Sequence, residues 1–532
     1  MILRSVNLAR ILTASVLLFA ITNLLSSAQD IPLRSRPEHP RYKFVDLGTF
    51  GGPASYVNGA AALGALNQIN RHGTTVGSAA TTIPIPPDSN LTICGGIDGL
   101  APFVFHAFQW LKGSLIDLGA LPGADTCSVA TSINERGEIV GHSERNVVDP
   151  NTGVRELRAV LWRNGKLMSL GTFGGRHSIS GSINDRGQVA GAALNAVPDP
   201  FSLLYLLFGA SNGTQTRAFL WENGRKRDLG TLGGPDAAAS FVNQRGEVMG
   251  VSYINSTPNA ITGIPTQDPF LWRNGKMIDL GTLGGTIGGP AALNNRGEVI
   301  GLSNVEGDEI SHPFLWKDGR MIDLFTQSKD GNPITVNDLN DAGEIVGGGQ
   351  FPARPFDAYL WKDGVAVDLG ALDGDCFSEA FLIDSRSRVV GQSFPCDFST
   401  AHTFLWQDGT MYDLQQAVPA DAGFHLVETL AINDRGEIGG IGKPAECATH
   451  IPQCGRAYVL IPCSAADNEV GCEELTGNAD TAVRNSTESF NQRGTSLMGT
   501  NAGPRDIAAR IQSQFVHPRG VGFWPQRGPT PR

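Results

Sequence analysis

A tryptophan that returns along almost the whole chain, at a tightest spacing of about 44–45 residues and with two tight-turn signals in each interval, predicts an all-β chain folded as a β-propeller of four-stranded antiparallel blades. The tryptophans are Trp110, Trp162, Trp221, Trp272, Trp316, Trp361 and Trp406, and Tyr458 stands in the same place in an eighth, weaker copy. Composition agrees with this reading. Of 532 residues 66 are glycine and only 17% are charged, which favours many short strands and turns over long helices.

The first two strands of each unit, a and b, come from segments such as residues 128–141 (SVATSINERGEIVG), where Asn134 and Gly137 frame a turn. Asn tolerates left-handed backbone and bonds the turn's own amides, and Gly takes positive φ without steric cost. The pair recurs as Asn70/Gly73, Asn184/Gly187, Asn243/Gly246, Asn294/Gly297, Asn340/Gly343 and Asn433/Gly436; only residues 384–388 (DSRSR) lack the glycine. Four positions before the Asn or its equivalent lie Ala130, Ser180, Ala239 and Ala380, so strand a is expected to be innermost, where converging blades leave no room for bulk. Strands c and d are a Phe-Leu-Trp strand, a two-residue turn and a strand closing on Asp-Leu-Gly. Asn164-Gly165, Asn223-Gly224, Asn274-Gly275, Asp318-Gly319, Asp363-Gly364 and Asp408-Gly409 are strong hairpin signals at that turn. Such turns force antiparallel neighbours, which argues against a stacked parallel solenoid.

Strands a, b and c each occur eight times, but d follows only seven of them. The missing copy stands at residues 42–52 (YKFVDLGTFGG). Pairing it with the three C-terminal strands closes a ring and removes an exposed edge. The expected blade count is eight, or seven if one degenerate unit is no blade.

Together the DLGTLGG, INxxGEVVG and FLW motifs over residues 42–463 resemble the HAF family of extracellular repeat proteins, whose name matches His106-Ala107-Phe108. The resemblance implies an exported repeat protein of bacterial type and brings no catalytic residues. The His position holds His106, His312 and His402, but Arg158, Arg217 and Arg456, or Asp268 and Asp357, elsewhere.

Residues 1–28 read as a signal peptide: Arg4 and Arg10 precede an apolar run at 11–25, with Ser26, Ser27 and Ala28 before the cleavage point. The run is shorter than the roughly 20 residues that span a bilayer, so no membrane span is expected after cleavage. Residues 29–41 read as a linker, 42–463 as the propeller and 464–532 as a mostly disordered tail poor in large apolar residues. The expected location is secreted, periplasmic or cell-surface. A net charge of −11 and a pI near 5.4 argue against a nucleic-acid partner.

Eight cysteines in an exported chain imply disulfides. No CxxC occurs, so zinc is not expected. Loop adjacency pairs Cys94 with Cys127 and Cys376 with Cys396, and chain proximity pairs Cys447 with Cys454 and Cys463 with Cys472, out of about 105 connectivities.

In an up-and-down blade the b–c and d–a connections share one face. The b–c insertions are long in the early units, at residues 78–105, 142–157, 192–217 and 251–268, so the variable chain collects where binding residues concentrate on rigid scaffolds. Within them, residues 200–210 (PFSLLYLLFGA) are apolar enough for either a short element packed on the fold or a partner patch. The GTLGG loops are turns, because a strand rather than a helix follows and no Lys is present. Asp46, Asp117, Asp228, Asp279, Asp323, Asp368 and Asp413 of strand d are expected to accept bonds from loop amides. No catalytic residue, cofactor or metal ligand is assigned. The sequence favours a binding scaffold for an extracellular glycan, peptide or protein; the alternative is a carbohydrate-active hydrolase or lyase with acids from different blades.

Overall fold

The computed structural model describes residues 39–57, 67–85, 103–123, 125–207, 210, 212–328, 331–352, 354–448, 451–463 and 471–477. Residues 1–28, read from sequence as a signal peptide, most of 29–41, Cys94 and most of 464–532 lie outside them. The chain from Arg41 onward forms one unit; of the preceding unit only His39 and Pro40 are described.

Antiparallel hairpins dominate. Seven sheets form, one of them an eight-stranded path whose halves are joined by a single parallel pairing, Gln267 to Ile287. Divided there, the described residues contain eight sets, numbered here sheets 1 to 8 in chain order. Sheet 2 shows the plan: a (Ser128–Ile133), b (Ile139–Val148), c (Arg155–Arg163) and d (Lys166–Ser169) follow one another in space as in sequence. Strand a is buried throughout and strand d is mostly exposed, so a lies inside and d outside. Small residues on strand a are required by contact: a Cβ on Gly181 of sheet 3 would sit 1.9 Å from the Ser240 carbonyl oxygen of sheet 4. In sheet 6 strand a is reduced to two short pieces, Asn332–Pro333 and Asp338–Leu339.

Sheet 8 takes its fourth strand from the other end of the chain. Arg41–Asp46 pairs antiparallel with Arg456–Pro462, Phe44 opposite Leu460. Its outer edge is then covered by Cys472–Glu474, a short strand that the composition of the tail did not suggest.

The repeated motifs are explained by how neighbouring sheets pack. The Leu at the end of each strand d, in Asp-Leu-Gly or its equivalent, shares an apolar cluster with the aromatic residue of the following sheet: Leu47 with Trp110, Leu118 with Trp162, Leu170 with Trp221 and Leu229 with Trp272. The series continues with Leu280 and Trp316, Leu324 and Trp361, Leu369 and Trp406, and Leu414 and Tyr458. Burial of such large side chains is the main stabilising term available to short strands.

A hydrogen-bonded relay also runs from one a–b turn to the next. Asn134 Oδ1 accepts from the amides of Arg136 and Glu138, fixing its own turn, while Nδ2 donates to the Asn184 carbonyl of the next sheet at 3.0 Å. The same link joins Asn70 to Asn134, Asn184 to Asn243, Asn243 to Asn294, Asn294 to Asn340 and Asn340 to Asp384. Asp384 has no amide to donate. Arg388 binds its carboxylate at 2.6 Å and makes the onward bond instead, to the Asp434 carbonyl at 3.1 Å. Asn433 then donates to the Asn70 carbonyl at 2.9 Å, linking sheet 8 to sheet 1.

Candidate functional site: the insertion-bearing face

The b–c insertions of sheets 2 to 4 are read from sequence as loops, but the structure extends their strands into projecting hairpins. In sheet 2 the ladder continues outward from Glu144 opposite Leu157 to Val148 opposite Arg155. The tips repeat a local motif. The Asp149 amide donates to the Val154 carbonyl and Gly153 to the Asp149 carbonyl, as Asn259 does to Ile264 and Gly263 to Asn259 in sheet 4. An Asx side chain opens both tips, accepting from the amide two residues on.

These hairpins are cross-braced by a buried polar hub. Asp149 Oδ2 accepts from the Tyr205 hydroxyl at 2.6 Å and faces His177 Nε2 at 2.8 Å. His177 Nδ1 accepts from the Leu157 amide at 3.1 Å, so the proton sits on Nε2 and points at the carboxylate. Burial pushes the His177 ring below its ordinary pKa, outweighing the pull of Asp149. Burial pushes the Asp149 carboxyl up, but bonds from Tyr205, the Asn151 amide and His177 outweigh it and hold the group below its usual range. The hub therefore ties the sheet 2 insertion to strand a and to the insertion of sheet 3. All three side chains are buried, which makes this a brace and not a site open to substrate.

Residues 200–210 contribute a short helix, Leu203–Leu207, which lies buried in one cluster with Val129, Ile179, Ala238 and Ile287 from four successive inner strands. The packing reading of that segment holds. The Leu203 amide donates to Asp236 Oδ2 at 2.7 Å, and Asp236 also accepts from the Thr216 amide. Burial, with Asp199 hydrogen-bonded beside it, raises the Asp236 carboxyl to about 8.

The hairpins leave apolar side chains in the open. Val147 and Val148 in sheet 2, Val197 in sheet 3, Ile261 in sheet 4 and Ile310 in sheet 5 are 41, 44, 50, 67 and 53% exposed. Three consecutive insertions and the short turn of sheet 5 thus present apolar residues on this face.

All seven strand-d Asp side chains accept from the amide two residues on, at 2.7–3.0 Å, as expected. The structure adds a second role. His106 lies 2.9 Å from Asp117, Arg217 2.9 Å from Asp228, His312 2.9 Å from Asp323 and Arg456 3.3 Å from Asp46, so the variable position before the Trp faces the strand-d carboxylate. His402 pairs instead with Asp375 of its own sheet at 2.9 Å. The three histidines are spent on carboxylates of separate sheets. In sheets 4 and 6 the partner is a second acid. Burial and the neighbouring Asp279 raise Asp268 to about 7, and burial with Asp368 raises Asp357 well above its ordinary value. Carboxyls in hydrogen-bonding contact share a proton; glycoside hydrolysis needs its two acids about 5–10 Å apart.

Two of the disulfides lie on the same face and the third, Cys463–Cys472, at the c–d end of sheet 8. Cys376 and Cys396 are joined with Cα atoms 5.0 Å apart, Cys447 and Cys454 at 5.5 Å, and Cys463 and Cys472 at 6.3 Å, which are the pairs the loops suggest. Cys127 is also disulfide-bonded, and its expected partner Cys94 lies outside the described residues. No helix of the described residues is long and apolar enough to cross a membrane.

Strand order and inter-sheet packing make the chain a β-propeller. No family model and no curated protein matches it. It is similar to the β-propeller domain of the Trilobed protease from Pyrococcus furiosus, at 9% identity and TM-score 0.37 over 67% of this chain and 97% of that one. It is also similar to dipeptidyl peptidase 4 of Porphyromonas gingivalis (9% identity, TM-score 0.40, 64% of this chain and 55% of that one). A third is TolB from Acinetobacter baumannii, at 9% identity and TM-score 0.28 over 64% of this chain and 81% of that one.

Proposed function

We propose that this chain is an exported binding scaffold for an extracellular glycan, peptide or protein, and that the projecting b–c hairpins of sheets 2 to 4 with the b–c turn of sheet 5 are its contact surface. One observation carries the reading: apolar residues on the three successive insertions of sheets 2 to 4, and at Ile310 in the short turn of sheet 5, stand exposed while the Asp149 hub and the Leu203–Leu207 helix brace the insertions beneath them. A preorganised surface loses little ordering entropy on binding, and its apolar tips suit a protein partner best. The disulfides, the signal-like segment and the resemblance to HAF repeats support export, and the relay of turn asparagines supports a closed ring of eight blades. The alternative of a carbohydrate-active hydrolase or lyase finds no acid pair of suitable separation in the three carboxyl contacts described above.

The test uses the chain lacking residues 1–28, immobilised and offered extracellular proteins and polysaccharides, beside the variant Val148→Asp/Ile261→Asp/Ile310→Asp. Retention that the variant loses, at unchanged unfolding temperature, is the expected result. Retention indifferent to the three substitutions removes the hairpins from the function, and soluble sugar products would favour the hydrolase or lyase.

A further inference from the structure

The tight-turn face, at the opposite ends of the strands, carries a second feature. Between sheets 3 and 4 a groove of about 790 Å3 opens at the a–b and c–d turns. Arg186, Arg225, Arg227 and Arg245 line it, all exposed, with Glu222 as the one carboxylate. In a chain of net charge −11 this is a local reversal of sign.

One substitution at the a–b turn contributes to it, beside Arg225 and Arg227 from strand d of sheet 3. In three units a Glu follows the turn glycine and neutralises the arginine two positions earlier: Arg136 pairs with Glu138 at 2.6 Å, Arg296 with Glu298 at 2.7 Å and Arg435 with Glu437 at 3.0 Å. That Glu also meets the cation following the Trp, as Glu298 meets Lys317 at 2.9 Å. The matching groove between sheets 4 and 5, about 310 Å3, is neutralised in this way. In sheet 3 the position is Gln188. Its amide keeps the structural bond to Asn184 and donates to Glu222, but offers Arg186 no charge. Among the described residues none of the four arginines forms an ion pair. Arg227 lies over the Trp272 ring at 6.0 Å, Arg245 makes one bond to the Asn295 carbonyl at 3.3 Å, and Arg186 reaches across to Gly246, where a Cβ would lie 2.4 Å from its guanidinium.

We propose that this groove binds an acidic oligosaccharide, one bearing carboxylate or sulfate groups. Guanidinium groups bind such anions through paired, charge-assisted hydrogen bonds. The remaining accessible lining is amide, from Asn223 and Asn274, which suits hydroxyl groups. Leu220 and Trp272 are each 7% exposed, so the groove lacks the open apolar pockets by which a peptide's side chains are read. The site is independent of the hairpin surface, and either reading can fail without the other.

Titration calorimetry of the chain lacking residues 1–28 with polygalacturonate, dextran sulfate, neutral dextran and polyglutamate tests this. One or both acidic polysaccharides should bind, weakening with added salt, and neutral dextran should not. Arg186→Gln/Arg245→Gln should weaken binding at least tenfold, since each lost charged hydrogen bond removes about that factor. Gln188→Glu removes no arginine and should weaken binding comparably by restoring the neutralising carboxylate, while Arg320→Gln, an exposed charge of sheet 5 outside the groove, should change nothing. Preference between the two polymers identifies the anion. Binding unaffected by Gln188→Glu and the arginine variant, no binding to either acidic polysaccharide, or equal binding of polyglutamate overturns the proposal.

Discussion

Asn184 is the sharpest place to test how the sheets are held together. Its side chain is fully buried, and it accepts from the amides of Arg186 and Gln188 at 3.0 Å each while donating to Gln188 Oε1 at 2.8 Å and to the Asn243 carbonyl at 2.9 Å. Asn184→Ala removes all four bonds and leaves buried partners unsatisfied. At about 1 kcal/mol per net bond, with a larger penalty for each orphaned group, the loss is about 3–5 kcal/mol, a large share of an ordinary domain's stability. Asn184→Asp keeps both acceptors, loses the link to sheet 4 and turns a carboxylate toward the Asn243 carbonyl, so it should cost as much. The chain itself supplies the remedy in Asp384 with Arg388. Asn184→Asp/Gln188→Arg should therefore recover most of the loss, measured by denaturant unfolding followed by tryptophan fluorescence. An alanine variant within about 0.5 kcal/mol of the parent, the scatter of ordinary surface changes, or a double variant no better than the single Asp, refutes the relay as a stabilising element.

Three further outcomes are expected. The Asp268 carboxyl, raised from 3.8 to about 7 by burial and Asp279, holds a proton that the unfolded chain releases; the stability it contributes is full below about pH 4, is lost as pH rises through about 7, and amounts to at most about 4 kcal/mol. Asp268→Asn should flatten that slope in unfolding curves collected from pH 4 to 8, and an unchanged slope counts against the shared proton. Cys376→Ser/Cys396→Ser opens a link between residues 20 apart in sequence and should cost about 3 kcal/mol by loop entropy; an unfolding midpoint equal to the parent's contradicts it. Tyr205→Phe strips the 2.6 Å bond to Asp149 and should lower stability by about 1–3 kcal/mol, with faster amide exchange in the sheet 2 and sheet 3 insertions; uniform exchange would show that the hub does not brace them.

Strand positions were legible because the turn chemistry is local. Asn-Gly and Asp-Gly take positive φ at residues such as Asn164 and Gly165, and the inner strand announces itself by small residues. The Asp-Leu-Gly motif was half legible: its acceptor role follows from turn geometry, but its pairing with His106 or Arg217 joins residues 11 apart across a hairpin and emerges only from register. The hub was not legible. Asp149 meets partners 28 and 56 positions away, through insertions that share no motif, and their length alone hinted at a role. Gln188 is a different case, since its departure from the Glu of other units stands in plain view, but its meaning depends on which arginines the turns bring beside it.

The strand Arg41–Asp46 has a mechanical consequence. It lies between Arg456–Pro462 and Cys472–Glu474, and a disulfide ties Cys463 to Cys472 just beyond it. Tension applied to the chain ahead of Arg41 and tension applied beyond Glu474 meet on one small patch, and each pull loads the strand that resists the other. Pulled apart, the two ends open the short pairing of Arg41–Lys43 with Cys472–Glu474 until the Cys463–Cys472 disulfide takes the load and passes it to strand Arg456–Pro462. Beyond that point the load falls on the pairing of Arg41–Asp46 with Arg456–Pro462, so the disulfide decides where the clasp opens.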